Sequence, residues 1–161
     1  MRFSLIHNLM FYLFVSPIIS FWPTTSMATT MPSSNMSSPV GKWRTVDDRT
    51  GKVRAIVNIW EEGDRLYGKI ERLIDPDLRL PNPQCIQCIG DLKGKPVIGM
   101  RILWDLRKDG DQWSGGKVLD PENGRSYRCI IAMQESGKIL KVRGFIGFSI
   151  FGRTQYWLRE Q

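Results

Sequence analysis

The stretch "IGMRILWDL", from Ile98 to Leu106, alternates along its whole length. One set of positions, Ile98, Met100, Ile102, Trp104 and Leu106, is entirely apolar, and the residues between them are Gly99, Arg101, Leu103 and Asp105. Because successive side chains of a strand point to opposite faces, a period of two is typical of a strand with one buried face. The stretch therefore predicts a half-buried β-strand.

Turn signals separate further segments of the same kind. The stretches "DDRTGK" (47–52) and "DPENGR" (120–125) share an Asp that can accept backbone N–H groups and a Gly that closes the turn. Strands are predicted at 41–46, 53–60, 65–73, 98–107, 112–119, 125–134, 138–146 and 153–160. No segment of helical length and period lies between them, which disfavours βαβ units.

Eight strands joined mostly by short turns predict an antiparallel meander. Such a meander closes most economically into an up-and-down barrel, because closure removes exposed sheet edges. A two-sheet sandwich is the alternative, but its crossovers need longer connections. We therefore predict an all-β fold: an eight-stranded antiparallel barrel with one long loop, from Ile74 to Val97, between strands 3 and 4.

The N-terminus has the features of a secretory leader. Arg2 is the only Lys or Arg in the first 28 residues and is followed by a run of apolar residues from Leu9 to Trp22. The small residues Ser26 and Ala28 precede a predicted cut after Ala28. An uncleaved membrane anchor is the alternative. Pro17 interrupts the run, however, and the run is shorter than the roughly 20 residues that a spanning helix needs.

Three segments follow from this boundary. We predict a signal peptide over residues 1–28, a disordered spacer rich in Ser, Thr, Pro and Met over 29–39, and one folded domain over 40–161. Cleavage of the leader implies a periplasmic or secreted protein, which we expect to be a monomer.

The charge and the single histidine restrict the classes of function. Without the predicted leader the chain has 22 basic and 16 acidic residues, a net charge of +6. An anionic envelope component is therefore a possible partner, and nucleic acid is not expected. His7 leaves with the leader, so no imidazole remains for a Ser–His or Cys–His pair or for a histidine metal site. We expect no enzyme, no cofactor and no metal.

Both ends of the predicted domain carry a recognisable pattern. "GKWRT" (41–45) opens the first strand and "QYWLRE" (155–160) closes the last. A Gly-x-Trp on the first strand with an Arg late on the last is similar to the signature of lipocalins and their calycin relatives. The resemblance implies that Trp43 plugs one barrel end and that Arg159 lies across its ring, a contact worth about 0.5–2 kcal/mol.

The whole domain resembles a family of exported bacterial proteins, domain of unknown function 2147. The resemblance is carried in order by "GKWRTVDDRTGKVRAIV", "PQCIQCIG", "IGMRIL", "WSGGKVLDPENGRSYRC" and "KVRGFIGFSIFGRTQYWLR", between Gly41 and Arg159. It implies a lipocalin-like fold, export, and a role in carrying a small molecule.

Alternation suggests which side chains would meet a ligand. An eight-stranded barrel is just wide enough to be filled by side chains or to hold one small ligand. The predicted ligand-binding residues are Arg143, Arg153, Gln155, Trp157, Tyr67, Asn58, Trp60 and Trp104, with Met100 and Met133 beside them. We expect an amphipathic ligand with an anionic head, such as a fatty acid. The alternative is a filled barrel that binds an envelope partner or an acidic polymer.

Three cysteines remain in the predicted domain. Cys85, Cys88 and Cys129 are too few for a zinc site of about four ligands, and a redox pair belongs in a βαβ setting. We expect a Cys85–Cys88 disulfide that stiffens the long loop, with Cys129 free and buried. A bridge from Cys129 to either loop cysteine is the alternative.

Two further stretches break the strand pattern. Gly115 and Gly116 lie inside a predicted strand, where a bend of the strand is the expected reason. "FIGFSIFG" (145–152) is apolar across a predicted turn, where polar residues are usual. We expect it to close one barrel end; the alternative is an apolar lip that contacts membrane or a partner.

Overall fold

The computed structural model of the protein describes residues 38–74 and 82–161. Its strands are β1 (Gly41–Val46), β2 (Val53–Glu62), β3 (Arg65–Leu73), β4 (Arg101–Asp109), β5 (Gln112–Asp120), β6 (Arg125–Gln134), β7 (Ile139–Phe145) and β8 (Gly152–Arg159). The predicted signal peptide and most of the predicted spacer lie outside the described residues. Nothing helical in the described residues is long and apolar enough to pass through a membrane.

The eight strands form a closed barrel in which each strand is antiparallel to the next. β1 completes the ring against β8, where Trp43 pairs with Arg159. The connections after β1, β3, β5 and β7 lie at one end, which we call the mouth, and those after β2, β4 and β6 lie at the closed end. The predicted all-β, up-and-down barrel is confirmed.

The half of the barrel next to the closed end is filled with side chains. Its apolar residues, each at most 2% exposed, are Trp43, Val57, Ile59, Leu66, Leu103, Leu106, Ile131 and Leu140. Burying a side chain of this kind contributes about 1.5–3 kcal/mol. This packed half therefore supplies much of the stability of the fold.

β4 departs from strict alternation. Gly68 of β3 pairs with Leu103, whereas Leu66, two residues earlier, pairs with Leu106, three residues later. The extra residue on β4 is a bulge, which re-aims the side chains around it. Leu103 is fully buried and Trp104 is only half-buried. The predicted apolar face is therefore wrong at these two positions.

Gly116 of β5 accommodates this irregular stretch of β4. A Cβ atom at Gly116 would lie 2.1 Å from the backbone oxygen of Trp104, so no other residue fits without moving the backbone. The β5–β6 register also shifts between Trp113 and Gly116. β5 is thus irregular at the two glycines, and the close approach of the β4 backbone accounts for Gly116.

Residues 38–40 lie against the closed end. Trp43 Nε1 donates a hydrogen bond to Pro39 O at 2.8 Å, and Arg159 Nη2 donates to Ser38 O at 2.7 Å. The Arg159 guanidinium lies over the Trp43 ring, with its Cζ atom 4.3 Å from the ring centroid. Ser38 and Pro39, which the sequence assigned to the spacer, therefore belong to the folded domain.

The long β3–β4 connection contains the disulfide. Cys85 and Cys88 are joined, with their Cα atoms 5.4 Å apart, and Cys129 is a free, buried thiol on β6. Backbone hydrogen bonds between Cys85 and Lys95 and between Val97 and Pro83 close the segment on itself. The expected pairing is confirmed. We call residues 82–97 the disulfide loop.

Candidate ligand site at the barrel mouth

The upper half of the barrel holds a cavity of about 370 Å³ at the mouth. Its apolar walls include Ala55, Ile70, Ile102, Val118, Val142 and Trp157, which come from strands all around the ring. Ligand pockets usually measure about 300–1,000 Å³ and have mostly apolar walls with a few polar groups. The cavity is therefore large enough for one small molecule.

The inner face of β8 lines this cavity from the rim to the floor. Arg153, Gln155 and Trp157 all contribute to the lining, because alternate residues of a strand share a face. Trp157 is buried, and its Nε1 donates a hydrogen bond to Gln155 Oε1 at 3.1 Å. The structure thus brings three of the predicted ligand residues together, with the Gln155 amide between an apolar floor and a charged rim.

The charges of the rim are paired with one another. Arg153 Nε donates to Asp48 Oδ2 at 2.9 Å, and its Nη2 contacts the other oxygen of the same carboxylate. The hydrogen bond from Arg153 holds the pKa of Asp48 below its ordinary value of 3.8. Arg54 Nη2 lies 2.8 Å from Glu122 Oε1 across the mouth. A rim with this balance has little net attraction for an anion.

Two further rim carboxylates hold the turns in shape. Asp47 Oδ1 accepts the backbone N–H groups of Arg49 (2.9 Å) and Thr50 (3.0 Å), which lowers the pKa of Asp47. Asp120 Oδ1 accepts the N–H of Glu122 at 2.9 Å. Across residues 38–74 and 82–161, no three His, Cys, Asp or Glu side chains converge as metal ligands would.

The sequence did not identify the contribution of the β5–β6 turn to the rim. Asn123 Nδ2 donates hydrogen bonds to Asp120 Oδ2 at 2.8 Å and to Tyr127 Oη at 3.1 Å. Asn123 and Tyr127 both line the cavity. The available signal was the turn motif "DPENGR" with an aromatic residue two positions after it.

Four other predicted ligand residues lie away from the cavity. Tyr67 follows the buried Leu66 on β3, so it points to the outer face. There it stacks on Trp60, with ring centroids 6.0 Å apart, beneath the Arg101 guanidinium. Asn58 lies between two buried residues of β2 and shares this outward orientation, and the β4 bulge displaces Trp104.

Arg143 supports the β7–β8 connection and does not line the cavity. Its Nε donates to Ser149 O at 2.7 Å, and its Nη1 donates to Thr154 Oγ1 at 2.8 Å. Another nitrogen of the same guanidinium donates to Ile150 O at 3.3 Å. The side chain therefore points outward from β7, where it bonds to backbone carbonyl groups.

The apolar β7–β8 connection does not seal the mouth. Ile146, Phe148, Ile150 and Phe151 are between 63% and 78% exposed. The expectation that "FIGFSIFG" closes one barrel end is therefore wrong, because most of its large side chains face solvent. The closed end is formed instead by Trp43, Arg159 and residues 38–40.

A second cavity of about 290 Å³ lies beside the first. Pro83, Gln84, Ile86 and Gln87 of the disulfide loop form one side of it, and the β5–β6 turn forms another. The loop approaches that turn so closely that a Cβ atom at Gly124 would lie 2.0 Å from Gln87 O. The disulfide loop is thus packed against the rim of the mouth.

Comparisons with known proteins agree with this architecture. Residues 41–159 match a protein family described as uncharacterized protein conserved in bacteria, DUF2147. A solved structure of protein HP1028 from the human pathogen Helicobacter pylori, described as belonging to the lipocalin family, is similar with a TM-score of 0.66. The two chains are 20% identical, and the match covers 77% of this chain and 84% of the other. None of the curated proteins matches this chain.

Proposed function

We propose, on the premise that this chain belongs to the DUF2147 family and folds as a lipocalin-like barrel, that it binds a small amphipathic molecule at the mouth. The observation that carries the proposal is the cavity of about 370 Å³ above a packed core. Apolar walls such as Ile102 and Val142 suit the body of the ligand, and the Gln155 amide suits a polar group. The protein acts by binding, as a monomer, and not by catalysis.

The ion pairs of the rim restrict the class of ligand more closely than the net charge of the chain does. The carboxylates of Asp48 and Glu122 already occupy the guanidinium groups of Arg153 and Arg54. An anionic head group would have to compete with these internal partners. We therefore expect a neutral amphiphile, such as a monoacylglycerol, to bind at least as well as the fatty acid of equal chain length.

Ligand uptake is tested by displacement of a fluorescent fatty acid and by native mass spectrometry of the purified protein. Val142 lines the cavity and is buried, so Val142→Phe is expected to narrow the cavity and weaken saturable uptake. Leu158→Phe is the matched control, because Leu158 is partly exposed on the outer face of β8. The proposal fails if the parent protein binds neither probe, or if Val142→Phe binds both of them normally.

We also propose that the protein works outside the cytoplasm, in the periplasm or after secretion. The leader-like residues 1–28 and the Cys85–Cys88 disulfide support this location, since disulfides persist in oxidising compartments. N-terminal sequencing of protein from the periplasmic or culture fraction is expected to begin at Thr29. Recovery of the uncleaved chain from the cytoplasm alone would contradict it.

A further inference from the structure

The β7–β8 connection, residues 146–151, forms an apolar projection at the mouth, which we call the lip. Ile146, Phe148, Ile150 and Phe151 supply four large apolar side chains within six residues, and all four are exposed. Single exposed apolar residues are common on soluble proteins, but a contiguous apolar group of this kind marks an interaction surface. Burial of these side chains therefore requires something outside the barrel.

Two arginines hold the lip in its outward shape. Arg143 donates hydrogen bonds to the carbonyl groups of Ser149 and Ile150, and Arg128 Nη1 donates to Gly147 O at 3.2 Å. These bonds satisfy the backbone of the lip, so its side chains need not fold inward. The fold itself thus holds these apolar side chains in exposed positions.

The same two arginines carry charge that no nearby acid balances. In the part of the chain that the structure describes, neither guanidinium lies within 4.0 Å of a carboxylate, and both bond to neutral acceptors. The lip is therefore an apolar tip with cations at its base.

The excess positive charge of the domain lies in the sequence of β6–β8: Arg125, Arg128, Arg143 and Arg153 are toward the mouth, whereas Lys138 and Arg159 are at the closed end. Between Arg125 and Arg159 the sequence has seven basic residues and one acid, Glu135, which lies in the β6–β7 turn at the closed end. Residues 40–124, in contrast, have 15 basic and 14 acidic residues. The net positive charge thus belongs to β6–β8, the strands that flank the lip.

We propose that the lip docks this barrel, mouth first, onto an anionic lipid bilayer surface. Apolar side chains at the tip would enter the boundary between head groups and acyl chains, as interfacial anchors do. Arg128 and Arg143 would then lie at the depth of the anionic head groups, where each cation contributes about 1 kcal/mol. The charge complementarity favours a lipid surface over an apolar protein partner.

The docking proposal goes beyond ligand binding and does not depend on it. The lip borders the cavity through Ile146 and Phe151, so a docked barrel would face its mouth toward the lipid. Vesicle binding can nevertheless be measured whether or not the cavity is occupied. Failure of ligand uptake and failure of docking are therefore separate results.

Co-sedimentation of the purified protein with vesicles tests the proposal. We expect binding to phosphatidylcholine vesicles that contain phosphatidylglycerol, and much weaker binding to phosphatidylcholine alone. The variant Phe148→Ser/Ile150→Ser is expected to bind the mixed vesicles about tenfold less tightly, since two apolar side chains are lost. Arg128→Gln is expected to bind about fivefold less tightly, and Arg128→Lys close to normally.

Ile89→Ser is the matched control. Ile89 is 81% exposed, lies on the disulfide loop and is outside the lip. The control should bind vesicles as the parent does, and all variants should keep the parent's far-ultraviolet circular dichroism and unfolding temperature.

Four results would overturn the proposal. The parent protein could fail to bind the mixed vesicles, or the double lip variant could bind them undiminished. Third, vesicle binding could be lost at high salt and yet be the same in the parent and the double lip variant. The basic residues of β6–β8 would then be assigned to binding a soluble acidic polymer. Self-association of the parent that the lip variant abolishes, without vesicle binding, would likewise reject the lipid partner.

Discussion

Arg159 contacts both the ring of Trp43 and the backbone that leads into β1. Its Cζ atom lies 4.3 Å from the ring centroid, and its nitrogens donate hydrogen bonds to Gly137 O (2.7 Å) and Ser38 O (2.7 Å). One side chain therefore joins β8, the β6–β7 turn and the segment before β1. Burial lowers the pKa of Arg159, which is nevertheless far above neutrality.

Replacing this arginine should loosen the closed end. We expect Arg159→Ala to lower the free energy of unfolding by about 2–4 kcal/mol, because the cation–π contact and several charged hydrogen bonds are lost. Arg107→Ala should change it by less than about 0.5 kcal/mol, since Arg107 is exposed and its ion pair with Asp64 lies on the surface. Urea unfolding measures both, and equal effects would contradict the role assigned to Arg159.

The Asp48–Arg153 pair predicts a pH dependence of stability. The folded pKa of Asp48 lies below 3.8, so its contribution is fully present above the unfolded pKa and is lost as the pH falls through the folded pKa. Asp48→Asn should remove this part of the acid sensitivity. The difference in stability between parent and variant should therefore begin to shrink below about pH 3.8 and vanish only below the folded pKa; a difference that persists unchanged in acid would contradict the pairing.

The same substitution should change ligand preference. Asp48→Asn releases the Arg153 guanidinium from its carboxylate, so a fatty acid should bind about fivefold more tightly, as expected for an exposed ion pair worth about 1 kcal/mol. The monoacylglycerol of equal chain length should bind unchanged. Displacement titrations with both ligands measure the ratio, and a parallel change in the two affinities would count against Arg153 as the contact for the head group.

The three cysteines should differ in reactivity. Burial raises the pKa of the Cys129 thiol to about 12, and Cys85 and Cys88 are joined. Native protein should therefore resist alkylation at all three positions. Because Cys85 and Cys88 are also at most 2% exposed, their disulfide should survive mild reduction of the native protein. In denaturant without reductant only Cys129 should be alkylated, which peptide mapping can show. Alkylation of Cys129 before unfolding would mean that β6 opens at the position of this thiol.

Gly116 should tolerate no side chain. We expect Gly116→Ala to lower the free energy of unfolding by about 1–3 kcal/mol, because its Cβ would overlap the Trp104 carbonyl oxygen. Lys117→Ala, at the next and exposed position, is the control and should change stability by less than about 0.5 kcal/mol. Thermal unfolding of the two variants compares them directly.

Local patterns were sufficient to predict the barrel. Each strand is signalled by alternation and bounded by turns such as "DDRTGK", whose Asp47 carboxylate makes the expected hydrogen bonds to backbone N–H groups. The short turns then leave few topologies besides a meander. The Cys85–Cys88 disulfide could also be predicted from a local pattern, since both cysteines lie within one loop.

The candidate ligand site was harder to predict from the sequence, because alternation divides the side chains of a strand into two faces without showing which face lies inside the barrel. Tyr67 and Trp60 are aromatic, but they share the outer face of their strands with charged residues such as Lys69. The face on which Trp104 lies was predicted wrongly, because its orientation depends on the β4 bulge, which is seen only in the pairing of β4 with β3. The outward lip was predicted only as the alternative, because an apolar run does not show by itself that the Arg143 and Arg128 side chains will hold its backbone outward.

The division of the barrel into a packed half and an open half has an evolutionary consequence. Residues such as Leu106 and Leu140 hold the fold together near the closed end, whereas the mouth is lined from strand ends and turns. Substitutions at the mouth should therefore cost the fold little stability. Under the proposed ligand-binding function, specificity can change at the mouth while the closed end stays the same.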